Sequence, residues 1–198
     1  MEQTRGGKEY LAFRKAELFA GLERHHKVTA DHSLRVAAYS SVMARFAGYS
    51  PEEVKEIQGA VLFHDIGKLE IPQEVLNKQT TRTEEEIKVG SLHPIVGAAI
   101  VKGIGMPPLA ETVCAQHHER YDGSGYPFGL SGDEIDPVSH LVAYVDSFDA
   151  ATTRSWNGYQ KSEEEIYYEI MGMCGEKYAP HFQDAFEEFY QWKVWNHY

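Results

Sequence analysis

His64-Asp65-Ile66-Gly67-Lys68 and, farther along, His117-His118-Glu119-Arg120-Tyr121-Asp122-Gly123-Ser124-Gly125-Tyr126-Pro127 set imidazoles beside carboxylates on short stretches of backbone. Neutral imidazole and carboxylate suit divalent iron, manganese, nickel and zinc, and adjacent donors let one segment bring in two ligands. The chemistry that follows is metal-assisted hydrolysis. Each piece taken alone has a plainer reading. A single inward histidine such as His32 is more often a hydrogen-bonded core residue than a ligand. His64-Asp65 could be a surface turn, and His117-His118 a solvated pair of the kind expected for His25-His26. His140, His181 and His197 have no donor neighbours in sequence and are read as structural or exposed.

What strengthens the metal reading is the set of elements that must position these donors. Apolar residues recur mostly at helical spacing and strand signals are scarce, so an all-α chain with short connections is predicted. Ser50 with Glu53, Thr83 with Glu86 and Ser162 with Glu165 are capping boxes that start helices, the first with Pro51 at its opening position. Gly48 ends a helix beginning near Asp31, and Gly103, Gly105 and Pro107-Pro108 end one beginning near His93. Residues 1–7 are polar, contain Gly6-Gly7 and predict a loose start. On the helix from Asp31, His32 shares a stripe with Val36, Tyr39, Met43 and Phe46. The helix after Ser50 is expected to align Asp65 with Ile57 and Val61. Leu109 and Val113 lead to His117, and Val138 and Val142 lead to Asp146. Each apolar face ends in a donor. A carboxylate carried inward in this way needs compensation, because an unpaired buried charge costs many kcal/mol.

Composition bounds the partners. A chain of 198 residues, 42% hydrophobic, has material for one well-buried core, so residues 1–198 are read as a single catalytic domain. A formal net charge of −11 argues against a grip on DNA or RNA polymers, whose phosphates call for surplus Lys and Arg. Cys114 and Cys174 form no CxxC pattern, and neither a signal peptide nor a membrane-length apolar run is found; a cytoplasmic, reducing setting is expected. The terminal aromatics Phe186, Phe189, Tyr190, Trp192, Trp195 and Tyr198 either complete the protein's own core or face a homodimer or signalling-protein partner.

The order His32, His64-Asp65-Ile66-Gly67-Lys68, His93-Pro94, the run His117 to Pro127, and Asp146-Ser147-Phe148-Asp149-Ala150 resembles the HD-GYP subfamily of HD-domain phosphohydrolases. The likeness runs from about Thr29 to Phe186, with Gly175-Glu176-Lys177-Tyr178-Ala179-Pro180 similar to the family's closing segment. It implies an all-α HD-domain helical bundle with a metal site between helices, and hydrolysis of a bacterial cyclic dinucleotide, chiefly cyclic di-GMP.

Carried over position by position, the resemblance implies that His32, His64, Asp65 and Asp146 hold one divalent ion, and that Asp65, His93, His117 and His118 hold a second. Iron or manganese is expected, with nickel or zinc also compatible. Two ions sharing Asp65 would lower the pKa of a bridging water, giving a hydroxide for in-line attack on phosphorus. Asp65 and Lys68 are thus the expected catalytic groups, with Lys68 adding positive charge to the phosphate; its plainer reading is a helix-end lysine complementing the dipole. Lys68, Arg154 and Tyr126 are the expected substrate contacts. The glycines between Asp122 and Gly132 suggest tight turns with exposed amides, and Tyr126 and Phe128 could meet a flat base. Asp149 is expected to orient a neighbouring group.

Two departures from the family matter. Val28 stands where members with a third metal carry glutamate, which points to two ions and to linear pGpG as product. The segment Thr153-Arg154-Ser155-Trp156-Asn157-Gly158-Tyr159 loses the family's register after Asp149, which leaves open 3′,3′-cyclic GMP-AMP as substrate. Another HD nucleotide phosphohydrolase and a noncatalytic binding module are the remaining alternatives.

Overall fold

Three reciprocal caps set the helix starts. Ser50, Thr83 and Ser162 each accept a hydrogen bond from the backbone N–H three residues on, while Glu53, Glu86 and Glu165 reach back to the cap's own N–H. These satisfy donors that a helix N-terminus otherwise leaves unpaired. The computed structural model describes residues 2–78, 80–153 and 160–196. Its helices are α1 (Glu2–His25), α2 (Lys27–Phe46), α3 (Pro51–Val61), α4 (Gln73–Leu76), α5 (Glu84–Gly90), α6 (His93–Gly103), α7 (Pro108–Gln116), α8 (Pro137–Thr153), α9 (Glu163–Gly172) and α10 (Gln183–Trp195). A tight 3₁₀ turn, Ile66–Glu70, joins α3 to α4. Among the described residues there is no strand beyond an isolated bridge between Cys174 and Tyr178, so the all-α expectation holds.

Helix α2 is the central element, packed against α1, α3, α8 and α10. Its buried residues Val36 and Met43 join Leu22, Ile57, Leu141 and Phe148 in the core, each at most 1% exposed. Ala30, Ala37 and Ala44 are also buried along α2 and let neighbouring helices approach closely. The terminal aromatics divide. Phe186 and Phe189 are fully buried, Tyr190 and Trp192 are half-buried, and Trp195 is 80% exposed. Phe186, Phe189, Tyr190 and Trp192 therefore lie in or against the protein's own core. No described helix is long and apolar enough to cross a membrane.

The structure corrects several expectations. The chain is helical from Glu2, so Gly6 and Gly7 lie inside α1 rather than in a loose start. Two glycines at about 1 kcal/mol each are tolerated in a helix of 24 residues. Helix α2 begins at Lys27, because His26 caps it by accepting from Thr29 N, and His25 Nε2 meets Ile71 O at 2.9 Å. That pair is not merely solvated. Phe46, in the last position of α2, is 37% exposed, at the edge of the stripe rather than in it. Asp65 does not ride on α3, which ends at Val61. Hydrogen bonds from Phe63, His64 and Ile66 N–H reach back three residues, and this tighter winding turns His64 and Asp65 inward, at 0% and 1% exposure. Arg154, His197 and Tyr198 lie outside the described residues.

Gly67 explains how that turn reaches α6. A Cβ there would sit 2.0 Å from His93 O and 2.6 Å from Gly97 N, so only glycine allows the two backbones this close. Gly67→Ala is expected to force the Ile66–Glu70 turn away from α6 and to destabilise the protein by about 1–3 kcal/mol. Urea unfolding followed by circular dichroism measures it.

Candidate metal centre

Each donor arrives from a different element. His32 comes from α2, His64 and Asp65 from the turn after α3, His93 from the first position of α6, His117 from the cap of α7, His118 just beyond it, and Asp146 from the middle of α8. The structure brings these seven side chains together in one region.

The two oxygens of Asp65 face opposite ways. Oδ1 lies 3.3 Å from His93 Nε2 and 3.8 Å from His117 Nε2. Oδ2 lies 3.5 Å from His64 Nε2 and 3.8 Å from His32 Nε2. Asp146 Oδ1 closes the second side, 2.9 Å from His32 Nε2 and 3.7 Å from His64 Nε2. Two donor groups that share Asp65 result, one with His93, His117 and His118 and the other with His32 and His64, each with ligand atoms within 4.8 Å of one another.

The histidine tautomers show what such a region lacks. His64 Nδ1 donates to Val61 O at 2.9 Å, His93 Nδ1 to Gly90 O at 2.7 Å, and His117 Nδ1 to Cys114 O at 2.9 Å. With the proton on Nδ1, a neutral ring presents its Nε2 lone pair to Asp65. His93 Nε2 and His117 Nε2 face each other at 3.2 Å, acceptor against acceptor. Among the described residues, His64 Nε2 and Asp65 Oδ1 are buried without a hydrogen-bond partner. A polar interior crowded with acceptors and short of donors fits a cation, and this donor set fits a divalent transition ion.

Burial pushes the Asp65 carboxyl upward, but Lys68, His64 and His93 hold it well below the usual carboxylate range. Burial is likewise overridden at Asp146, by His32 and His64. Burial works against protonating His32, yet Asp146 and Asp149 raise it to about 9. Burial and the neighbouring imidazoles keep His117 well below the histidine range. His118 is pushed down to about 3, chiefly by burial. Lys68 Nζ donates to Asp65 Oδ2 at 2.5 Å, and its side chain is 20% exposed, so it joins the site to solvent.

Two supporting residues escaped the sequence reading. Arg35 grips Asp149 through two hydrogen bonds, Nε to Oδ1 at 2.7 Å and Nη2 to Oδ2 at 2.9 Å. Asp149 Oδ2 in turn accepts from His32 Nδ1 at 2.6 Å, the orienting task expected of Asp149. The signal was present in outline, since Arg35 lies one turn past His32 and Asp149 one turn past Asp146. Glu119, 1% exposed, accepts from Phe128 N at 2.7 Å and Leu130 N at 3.0 Å. Nothing local marks it, because its partners return only through the loop. Several amides of that loop, expected to be exposed, are instead bonded within the protein. Gly123 N donates to Arg120 O, Ser124 N to Asp122, Tyr126 N to His118 O and Gly132 N to Tyr121 O. His140, left without a role in sequence, is buried and bonds Gly132 O through Nε2 at 3.0 Å.

Comparison with known proteins places these features in a family context. Residues 11–181 match the model of the HD domain. The chain is 39% identical over 160 residues to a cyclic di-GMP phosphodiesterase of Thermotoga maritima, covering 80% of this chain and 44% of that protein. It is 31% identical over 161 residues to the 3′3′-cGAMP-specific phosphodiesterase 2 of Vibrio cholerae, covering 80% of this chain and 31% of that protein. The chain thus spans less than half the length of these curated relatives. Among solved structures, the HD domain of the Listeria monocytogenes phosphodiesterase PgpH in complex with cyclic-di-AMP superposes with a TM-score of 0.67 at 16% identity, covering 92% of this chain and 98% of that one. At that identity the likeness is one of fold.

Arg35→Ala is expected to leave Asp149 buried without its two-pronged partner, lowering stability by about 1–2 kcal/mol after allowing for the solvent that reaches the guanidinium. Arg35→Lys should recover only part of the loss, because an ammonium cannot make the paired contact. Denaturant midpoints of the variants check both.

Proposed function

The chain belongs to the HD-domain family, and we propose that it is a metal-dependent phosphodiesterase that opens a bacterial cyclic dinucleotide, cyclic di-GMP, to linear pGpG. The observation that carries this reading is the division of Asp65, one oxygen toward His93 and His117 and the other toward His32 and His64. In this reading His32, His64, Asp65 and Asp146 hold one divalent ion and Asp65, His93, His117 and His118 a second, iron or manganese by preference, with nickel or zinc also suited to the donors. Bound there, the ions supply an activated water and Lewis-acid stabilisation of phosphoryl oxygens.

The chain's own groups do the rest. The carbonyls of Val61, Gly90 and Cys114 fix three imidazoles so that Nε2 points inward, and Arg35 with Asp149 does the same for His32. Orientation of this kind is set before substrate arrives and costs nothing at the moment of reaction. Lys68, anchored on Asp65 and partly exposed, is placed to meet a non-bridging phosphate oxygen and offset the charge that develops on it. The net charge of −11 disfavours polymeric nucleic acid, so a small dinucleotide drawn in by local positive charge is the better substrate. Val28, 67% exposed one turn before His32, offers no donor for a third ion, which favours a linear dinucleotide as the end product. The relative named for 3′3′-cGAMP supports that dinucleotide as a second candidate substrate.

Purified protein loaded anaerobically with manganese or iron should convert cyclic di-GMP mainly to pGpG, followed by liquid chromatography beside a parallel reaction with 3′,3′-cyclic GMP-AMP. Chelation or Asp65→Asn should bring turnover to background, and Lys68→Ala should lower kcat about 100-fold. Failure of every metal to yield a linear product from either dinucleotide would overturn the proposal.

A further inference from the structure

His118 is held differently from His64, His93 and His117. His64, His93 and His117 each donate Nδ1–H to a backbone carbonyl, and among the described residues no such bond is found for His118. Its ring is set by other rings. Tyr126 lies stacked on it, with centroids 4.8 Å apart and planes at 27°, and His93 and His117 meet it at 4.9 and 4.1 Å.

The loop that carries Tyr126 is closed tightly on His118 and Glu119. Tyr126 N donates to His118 O at 3.2 Å. Two residues later Phe128 N donates to Glu119 Oε1, and Leu130 N follows to Oε2. Gly125 passes so close beneath that a Cβ would lie 2.4 Å from both Glu119 Cα and Arg120 N. A buried carboxylate that accepts through both oxygens makes a strong latch, since charge-assisted hydrogen bonds exceed neutral ones and leaving either amide unpaired is costly.

We propose that Tyr126 is a positioning residue that holds the His118 ring by stacking, and that Glu119 latches the loop that keeps Tyr126 there. The inference rests on the two-ion reading above and gives Tyr126 a task other than the substrate contact expected from sequence. Stacking takes the place of the missing Nδ1 hydrogen bond: it limits rotation of the imidazole, so less freedom is lost when its nitrogen engages an ion. The stacking is a contact of the Tyr126 ring with the His118 ring.

Metal-free protein titrated with Co²⁺, followed by its visible absorption, and with Mn²⁺, followed by calorimetry, tests the proposal without substrate. Wild type should take up two ions. Tyr126→Leu and Glu119→Gln should weaken one of the two binding events by about tenfold or more, change the cobalt spectrum of that event, and leave the other unaltered. Tyr126→Phe should bind both ions as wild type does. Tyr126 is 37% exposed, so the thermal midpoint of Tyr126→Leu should stay near that of wild type even if Glu119→Gln folds poorly. Equal affinity for both ions in Tyr126→Leu and wild type would overturn the inference while leaving the two-ion reading intact, and so would an equal loss in Tyr126→Phe and Tyr126→Leu. Uptake of fewer than two ions by wild type would instead overturn the two-ion reading, and the inference with it.

Discussion

Asp65 is 1% exposed, and its carboxyl lies well below the usual range although burial pushes the other way. A buried charge of this kind is stable only if positive charge or donors are brought to it, and the fold is arranged to do that from several directions. Lys68 supplies a donor from the same turn, while His93 and His117 on one side and His32 and His64 on the other turn Nε2 atoms toward it, where they would share the cations that complete the compensation. Gly67 allows the turn and α6 to come within backbone contact, which puts Asp65 and His93 in reach of each other. The helices around the site follow from the same need, since α2 and α8 face each other through His32, Arg35, Asp146 and Asp149.

Much of the fold was legible because its signals are local. Capping boxes at Ser50, Thr83 and Ser162 depend on side chains three residues apart, and all three are present. The inward course of His117 and Asp146 follows from apolar residues one turn before them, and it also holds. The errors arose where a non-local or subtler effect prevailed. Apolar spacing carries α3 on to Asp65, but the chain tightens to a 3₁₀ turn after Val61, and nothing in that spacing announces the change of winding. The start of α2 was placed too late, because histidine is a less familiar cap than serine or aspartate, and its ring nitrogen accepts from Thr29 N all the same.

The site was legible as a set of donors and less so as a mechanism of support. His32, His64, Asp65, His93, His117, His118 and Asp146 are implied as a set by the family resemblance that their order carries. Arg35 and Glu119 do not, since an arginine on a helix and a glutamate after a histidine pair are ordinary until their distant partners are seen. The glycine-rich segment was misread for the same reason. Its glycines suggest exposed amides, yet Glu119, His118 and Asp122 accept from several amides of the loop. The loop is therefore tied to residues of the site, and in the proposed reading such rigidity keeps the ligands in place before the phosphate arrives.

The central claim, that the two oxygens of Asp65 serve two separate cations, is tested most directly by anomalous X-ray diffraction at the manganese edge from crystals grown with Mn²⁺. Two anomalous peaks are predicted, one beside Oδ2 among His32, His64 and Asp146 and one beside Oδ1 among His93, His117 and His118. A map with no peak at Asp65, or with manganese bound only elsewhere on the protein, would contradict the account.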